Sequence, residues 1–287
     1  MSESITFIGF GEAGQAFARP GAHAFDIKTR DGAMRAAKLA DYRTAEVSGC
    51  DTAADALTEA DAIFSLVTAD QALGAARNYA SLLPAGALWL DMNSVAPATK
   101  RAAALAVEST GGRYVDVAVM APVLPARLGV PLLVSGPHAD EAAAALRVAG
   151  FTHVSIAGRK VGDASAIKMI RSVMVKGLEA LSAECILAAH RAGVTDAVLG
   201  SLDDSWKDQP WQGRADYNLN RMLVHGLRRA VEMEEVARTL EDLGIAPTMT
   251  RATIALQREI GGIGALSPDG LLAKLNMIEQ SREGRAA

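Results

Sequence analysis

The first half of the chain alternates short, continuous apolar runs with Ala-rich stretches whose apolar residues recur at helical spacing. The runs predict strands at Thr6–Gly9, Ala22–Lys28, Ala62–Val67, Ala87–Asp91, Tyr114–Val119 and Leu132–Ser135, with a last one at about Thr152–Ile156. The stretches between them predict helices at Thr52–Ala60, Asp70–Leu83, Pro97–Ser109 and Asp140–Ala149. Strands alternating with helices of this length read as βαβ units around a parallel sheet. Unbroken apolar runs are what a sheet covered by helices on both faces requires. After Gly158 and Gly162 the pattern changes, and strand-like runs nearly vanish. Ile167, Ile170, Met174, Leu178, Leu181 and Cys185 keep helical spacing and predict one long helix over Asp163–Ala192. Asp163 is its expected N-cap and Gly193 its stop. Further helices are expected at Asn218–Leu243 and Thr248–Ile260, divided by Gly244 and Pro247, with a shorter one from Pro268. The expected architecture is a doubly wound α/β domain over residues 1–160 followed by an all-helical domain over residues 161–287.

Composition narrows the function classes. Half of the residues are hydrophobic, enough for a packed core in a chain of 287 residues. A formal net charge of -4 gives no electrostatic reason to expect nucleic acid as a partner. Cys50 and Cys185 stand far apart and in no metal-ligand spacing, so neither a disulfide framework nor a zinc site is expected. The chain enters its first strand without a basic region and a long apolar run, which argues against a secretory signal. No apolar run approaches the roughly 20 residues that span a bilayer. A soluble cytoplasmic protein with no membrane partner is the expectation.

The first strand leads into Gly9-Phe10-Gly11-Glu12-Ala13-Gly14, a G-x-G-x-x-G at the opening of a helix. The first glycine permits the tight turn, the second lets backbone approach a pyrophosphate, and the third lets helix and strand pack closely. Helix-start N–H groups then face phosphate charge. The motif is weak alone, but a strand before it and a helix after it are its confirming context. A Rossmann-type domain binding NAD or NADP is therefore expected. Asp26, at the end of the second strand, is the candidate partner for the adenosine ribose hydroxyls, although it falls a little short of the usual spacing of about 20 residues. Asp26 tilts the choice towards NAD, while Lys28 and Arg30 keep a 2′-phosphate in play. Val67 and Thr68 lie at the carboxyl end of the Ala62–Val67 strand and should border the cofactor, because ligands bind along that edge.

Gly158-x-Lys160-x-Gly162 leads into the long helix and Lys168. Together with the glycine loop, the segment Asp91-Met-Asn-Ser-Val-Ala-Pro97 and the segment Asp116-Val-Ala-Val-Met-Ala-Pro122, this order resembles the β-hydroxyacid dehydrogenase family. That family includes 3-hydroxyisobutyrate and 6-phosphogluconate dehydrogenases. The C-terminal part is similar to a subgroup whose helical domain has no assigned role. The resemblance implies that Lys168 is the catalytic residue and that Asn93 and Ser94 lie in the substrate pocket, with Asn93 also bordering the cofactor. It also implies a homodimer formed through the helical domains. Elementary chemistry agrees about the lysine. Reducing a carbonyl with hydride needs a proton donor at the developing alkoxide, and the reverse reaction needs a base. A lysine pKa of about 10.4 is high for that work, and Arg171, one turn along, is placed to lower it.

The chain departs from the family pattern at two places. Ser172 stands where an asparagine is common, and Met120-Ala121-Pro122 replaces a Ser-Gly-Gly segment that embraces a carboxylate. Proline has no N–H to offer. The substrate's anionic group should then be gripped elsewhere, by Arg171 as first candidate, or by His225 and Arg229, which share a helix face. A salt-bridged helix surface with Glu232, Glu234 and Glu235 is an equally good account of the latter pair. Trp206 and Trp211 flank a polar loop and either line a pocket or anchor the loop. The long helix is apolar over more of its circumference than one neighbouring domain covers, which marks an interface. The expected function is hydride transfer between a nicotinamide and a small hydroxy acid. Its rivals are an imine or other carbonyl reductase of the same fold, against which Lys168 counts, and a cofactor-binding regulatory protein without turnover.

Overall fold

The computed structural model describes residues 4–205, 210–242, 244–264 and 266–286. Two compact units divide at Val173/Met174. The first is built on an eight-stranded sheet: β1 (Ile5–Ile8), β2 (His23–Phe25), β3 (Ser48–Gly49), β4 (Ala62–Ser65), β5 (Leu88–Asp91), β6 (Arg113–Val119), β7 (Leu132–Ser135) and β8 (Val154–Gly158). Its spatial order is β3-β2-β1-β4-β5-β6-β7-β8. Around it lie α1 (Glu12–Phe17), α2 (Arg35–Thr44), α3 (Ala53–Leu57), α4 (Ala72–Tyr79), α5 (Pro97–Glu108) and α6 (Ala139–Val148).

Every residue of β1, β4 and β5 is buried, as the unbroken apolar runs require. Successive side chains leave a strand on opposite faces, and here they enter two separate cores. Phe7, Phe64 and Leu90 enter one. Ile8, Ile63 and Trp89 enter the other. The register pairs Phe7 with Phe64 and Phe64 with Leu90, so each core is continuous across the strands. Phe7 and Phe64 meet edge to face at 5.4 Å between ring centroids.

Two of the expected strands depart from the sequence expectation. The second strand stops at Phe25, and Ile27–Arg30 turns into a 3-10 helix because the Asp26 carboxylate accepts the Lys28 N–H. Short side chains of this kind compete with a strand ladder for backbone donors. The sheet is not parallel throughout, since β7 runs antiparallel to β6. A parallel neighbour needs a crossover, usually a helix, and only a 3-10 turn at Arg127–Gly129 lies between these strands.

The long helix α7 (Asp163–Ala192) has the expected bounds. The units part inside it, beyond the expected boundary at residue 160. The reason is that its first turn is bound to the sheet. Asp116 on β6 accepts the N–H groups of Gly162 and Ser165, and Ser135 on β7 accepts that of Ala164. Asp163 is therefore not the N-cap. It is the first helical residue, and its carboxylate reaches back to the Lys160 N–H.

The second unit adds α8 (Thr195–Ser205), α9 (Trp211–Asp242), α10 (Thr248–Gly261) and α11 (Leu271–Ala286). In α9 and α10 the backbones touch. A Cβ on Gly226 would lie 2.4 Å from the Gln257 carbonyl oxygen and 2.8 Å from Gly261 Cα. The α10 N-terminus is tied to α7 by Glu184, whose buried carboxylate accepts from the Met249 N–H at 2.8 Å, the Thr250 N–H at 3.0 Å and the Thr250 hydroxyl at 2.6 Å. Burial by itself would raise this carboxyl's pKa, but the Thr250 hydroxyl and the amides of Met249, Thr250 and Thr248 outweigh it and hold it below its ordinary value. Among the described residues, no helix is long and apolar enough to cross a membrane.

A carboxyl whose pKa is depressed by folding stabilises above its unfolded pKa and loses that contribution as pH falls through the folded value. Glu184→Gln should therefore cost about 2 kcal/mol at neutral pH, the scale of hydrogen bonds to a charged group. The gap from wild type should narrow below about pH 4, as the wild-type carboxylate itself becomes protonated. Urea unfolding at pH 7 and at pH 3.5 measures both.

Candidate functional site

The sheet order reverses around β1, with β2 on one side and β4 on the other, so a crevice opens beyond their carboxyl ends. A cavity of about 280 Å³ lies there, lined among others by Gly9, Gly11, Asp26, Lys28, Val67 and Thr68. These include most of the residues expected to hold a dinucleotide. Glu12, Ala13 and Gly14 form the first turn of the six-residue α1. Gly9 has φ of +85°, and a Cβ on it would sit 2.6 Å from the Leu66 carbonyl oxygen, so only glycine fits this turn. Nothing lies within 4 Å of where a Gly11 Cβ would be, which leaves its backbone open to a ligand. Gly14 packs against the Phe10 ring and the Gly9 carbonyl, the close helix–strand approach expected of the third glycine.

The loop is pinned on both sides of Phe10. The Phe10 N–H donates to Asp26 Oδ2 at 2.8 Å, and Lys38 Nζ donates to the Phe10 carbonyl at 2.6 Å. Asp26 Oδ1 accepts the Lys28 N–H at 2.9 Å. Asp26 is thus a buried fastener of the glycine loop as well as a wall of the cavity. Sequence reading missed Lys38, which is buried on α2 and paired with Asp41. A polar helix without a clear apolar stripe gave no signal for it. Arg30 is held over the Phe25 ring at 5.3 Å rather than in the cavity. The open Gly11 backbone, the narrow Gly9 turn and the Lys28 cation fit an anionic dinucleotide.

A second group gathers at the ends of β5 and β6. Lys168 Nζ donates to Ser94 Oγ at 2.6 Å. Asn93 is buried, and its amide N–H2 donates to Asp91 Oδ1 at 2.8 Å and to Ser65 Oγ at 3.1 Å. Arg171 lies exposed one turn after Lys168 and reaches the half-buried Met120's carbonyl at 3.4 Å. The backbone of the altered segment therefore meets a cation here. Ser172 donates its hydroxyl proton to the Lys168 carbonyl at 2.9 Å, so the expected free donor is turned back onto its own helix. Behind these lie groups the sequence did not point to. Tyr114 donates to Asp91 Oδ2 at 2.6 Å, and burial together with Asp91 pushes its phenol far above the ordinary value. Tyr114 is a permanent donor in this position.

His225 and Arg229 lie half-buried on α9 in the second unit, and neither lines the dinucleotide cavity. Trp206 lies outside the described residues, as do the side chains of Trp211, Arg228, Glu232, Glu234 and Glu235.

Comparison with known proteins adds three findings. Residues 4–151 match the model of the NAD binding domain of 6-phosphogluconate dehydrogenase, and residues 189–260 match a domain of unknown function, DUF1932. A conserved hypothetical protein from Sinorhizobium meliloti 1021 is 36% identical, with 98% of this chain and 97% of that one covered and a TM-score of 0.60. A conserved protein described as structurally similar to 3-hydroxyacid dehydrogenases is 30% identical, covering 96% and 99%, with a TM-score of 0.58. An imine reductase from Streptomyces aurantiacus is 22% identical over 96% and 99% of the two chains, with a TM-score of 0.73, and shares the fold.

Gly9→Ala should disrupt the loop twice, through a positive-φ cost of about 1–2 kcal/mol and through the clash with Leu66. Thermal melting should fall by several degrees, and fluorescence titration should show NADH and NADPH binding weakened at least about tenfold, which is 1.4 kcal/mol or more.

Proposed function

Because the chain belongs to the family defined by the NAD binding domain of 6-phosphogluconate dehydrogenase, we propose that it is an oxidoreductase acting on a small hydroxy acid, with Lys168 as acid/base. The observation that carries this reading is the Lys168–Ser94 pair at 2.6 Å, with Arg171 one turn away. Bound NAD or NADP would supply the hydride acceptor in one direction and the donor in the other. In oxidation the substrate C–H leaves as hydride, and the neutral Lys168 amine takes the hydroxyl proton and becomes ammonium. In reduction the ammonium returns that proton to the alkoxide oxygen. Ser94 orients Lys168 and offers its own hydroxyl to the substrate oxygen. Arg171 supplies a fork of donors that suits a carboxylate.

Two cations on one helix face favour an anionic substrate over a protonated imine, which they would repel. That separates this reading from reduction of a C=N bond, the activity named for structures that share the fold. Both cofactors remain candidates, since Asp26, the expected ribose partner, and Lys28 both line the cavity. We also propose a homodimer, supported by the apolar surface that α7 leaves exposed at Ile170 and Leu187.

The test is a nicotinamide absorbance assay over a panel of hydroxy acids and, separately, cyclic imines, with each cofactor. Wild type should oxidise a member of the acid panel, and Lys168→Ala should lose about 100-fold or more in kcat, within the usual range for general acid–base groups, while still binding cofactor. Turnover confined to imines, or activity that survives the substitution, would overturn the proposal.

A further inference from the structure

Three charged side chains are sealed in the first unit between β5, β6 and α5. Asp91 and Asp116 are partners in the parallel register of neighbouring strands. Lys100 on α5 is wholly buried beside them. Its Nζ lies 2.6 Å from the Asp91 carbonyl oxygen, 3.0 Å from Asp91 Oδ1 and 3.4 Å from Asp116 Oδ1. Asp116 Oδ1 makes no hydrogen bond, so Lys100 holds it by charge. Charges are kept inside a protein at the expense of desolvation, and none of the three lines the dinucleotide cavity.

Their remaining contacts point to what they do. Asp91 Oδ1 accepts both the backbone N–H of Asn93 at 3.0 Å and its side-chain amide, which fastens the turn ending in Ser94. Asp116 Oδ2 accepts the N–H groups of Gly162 at 3.2 Å and Ser165 at 3.0 Å. The Ser135 hydroxyl also donates to it at 3.1 Å, while accepting the Ala164 N–H at 3.0 Å. One carboxylate therefore anchors the turn that carries Ser94. The other anchors the first turn of α7, which carries Lys168 a turn later. Lys100 is the cation between them.

We propose that Lys100 is a positioning residue for Lys168: by bridging Asp91 and Asp116 it sets the spacing between the Ser94 turn and the start of α7, and so the contact between Lys168 and Ser94. Without its charge, two carboxylates on registered strands face each other in a low-dielectric interior. They part or one takes up a proton, and either change loosens one of the two anchors. The proposal deepens the acid/base reading of Lys168 and rests on it for its catalytic consequence, but not for its geometry.

The experiment therefore has one readout that needs no substrate. Full-length wild type, Lys100→Met and Asp116→Asn are labelled without cofactor by an amine-acetylating reagent. The rate at Lys168 is then read by mass spectrometry against that at the exposed Lys28. Release from Ser94 should raise the Lys168/Lys28 ratio at least about tenfold in Lys100→Met, while kcat falls about 100-fold, the scale on which an ångström of misplacement costs rate. Cofactor affinity should stay within about threefold, because none of the three charges lines the dinucleotide cavity. Asp116→Asn keeps the shape of the cluster and should show the same signs, which preserves the test if Lys100→Met does not fold. A folded variant of either kind with an unchanged labelling ratio would overturn the proposal. If wild type turns over no substrate, the labelling ratio still decides the positioning role, and only the acid/base reading fails.

Discussion

A buried ion cluster that joins the last residue of β5 to the middle of β6 is the constraint on which this site depends. Asp91 and Asp116 lie side by side in the sheet, and their like charges are tolerable only because Lys100 stands between them. Their outward contacts then settle the course of three pieces of chain: the turn after β5, the end of β7 through Ser135, and the entry to α7. The helix begins where the cluster supplies partners for its first N–H groups, which every helix leaves unsatisfied. That is why the first unit extends into α7 and does not end at the last strand.

The dinucleotide end of the sheet is organised by a similar economy. Backbone at a tight turn must find partners for its polar groups, and here charged side chains provide them. Asp26 takes the Phe10 N–H and Lys38 takes the Phe10 carbonyl, so the glycine loop is held from outside while its open face at Gly11 stays bare. Aromatic packing supports it from below, with Phe10 against Phe7 at 5.6 Å and against Tyr42 at 5.2 Å. A rigid loop loses little freedom on meeting a ligand, which favours binding.

The departures from the dehydrogenase pattern are chemically consistent with one another. Pro122 removes a backbone donor, Ser172 spends its proton on the Lys168 carbonyl, and Arg171 approaches the Met120 carbonyl. Neutral donors are lost from the surroundings of Lys168, and a second cation is gained. A guanidinium compensates for missing N–H groups where the ligand carries a carboxylate, because it offers several donors in one plane. The comparisons agree at the level of family and fold, and the 36% and 30% identical relatives extend over nearly the whole chain.

Features with a local cause were legible in the sequence. Apolar runs marked β1, β4, β5 and β7, because a strand buried on both faces admits a polar residue only where a partner satisfies it. The glycine loop was legible because positive φ and close approach each demand glycine. The bounds of α7 followed from apolar spacing that begins after Gly162 and stops at Gly193. What has no local cause was invisible. The two-residue β3 and the polar α2, which buries Lys38 and Tyr42, carry too little periodicity to stand out. The reversed direction of β7 depends on what joins it to β6, since an apolar run reads the same in either direction. Asp26 read as a ligand group, and only folding brought the Phe10 N–H against it. Nothing in the local sequence set Lys100 apart within its helix. Its meaning arose when tertiary structure placed it, dry, between two carboxylates from separate strands, where the loss of water makes charge decisive.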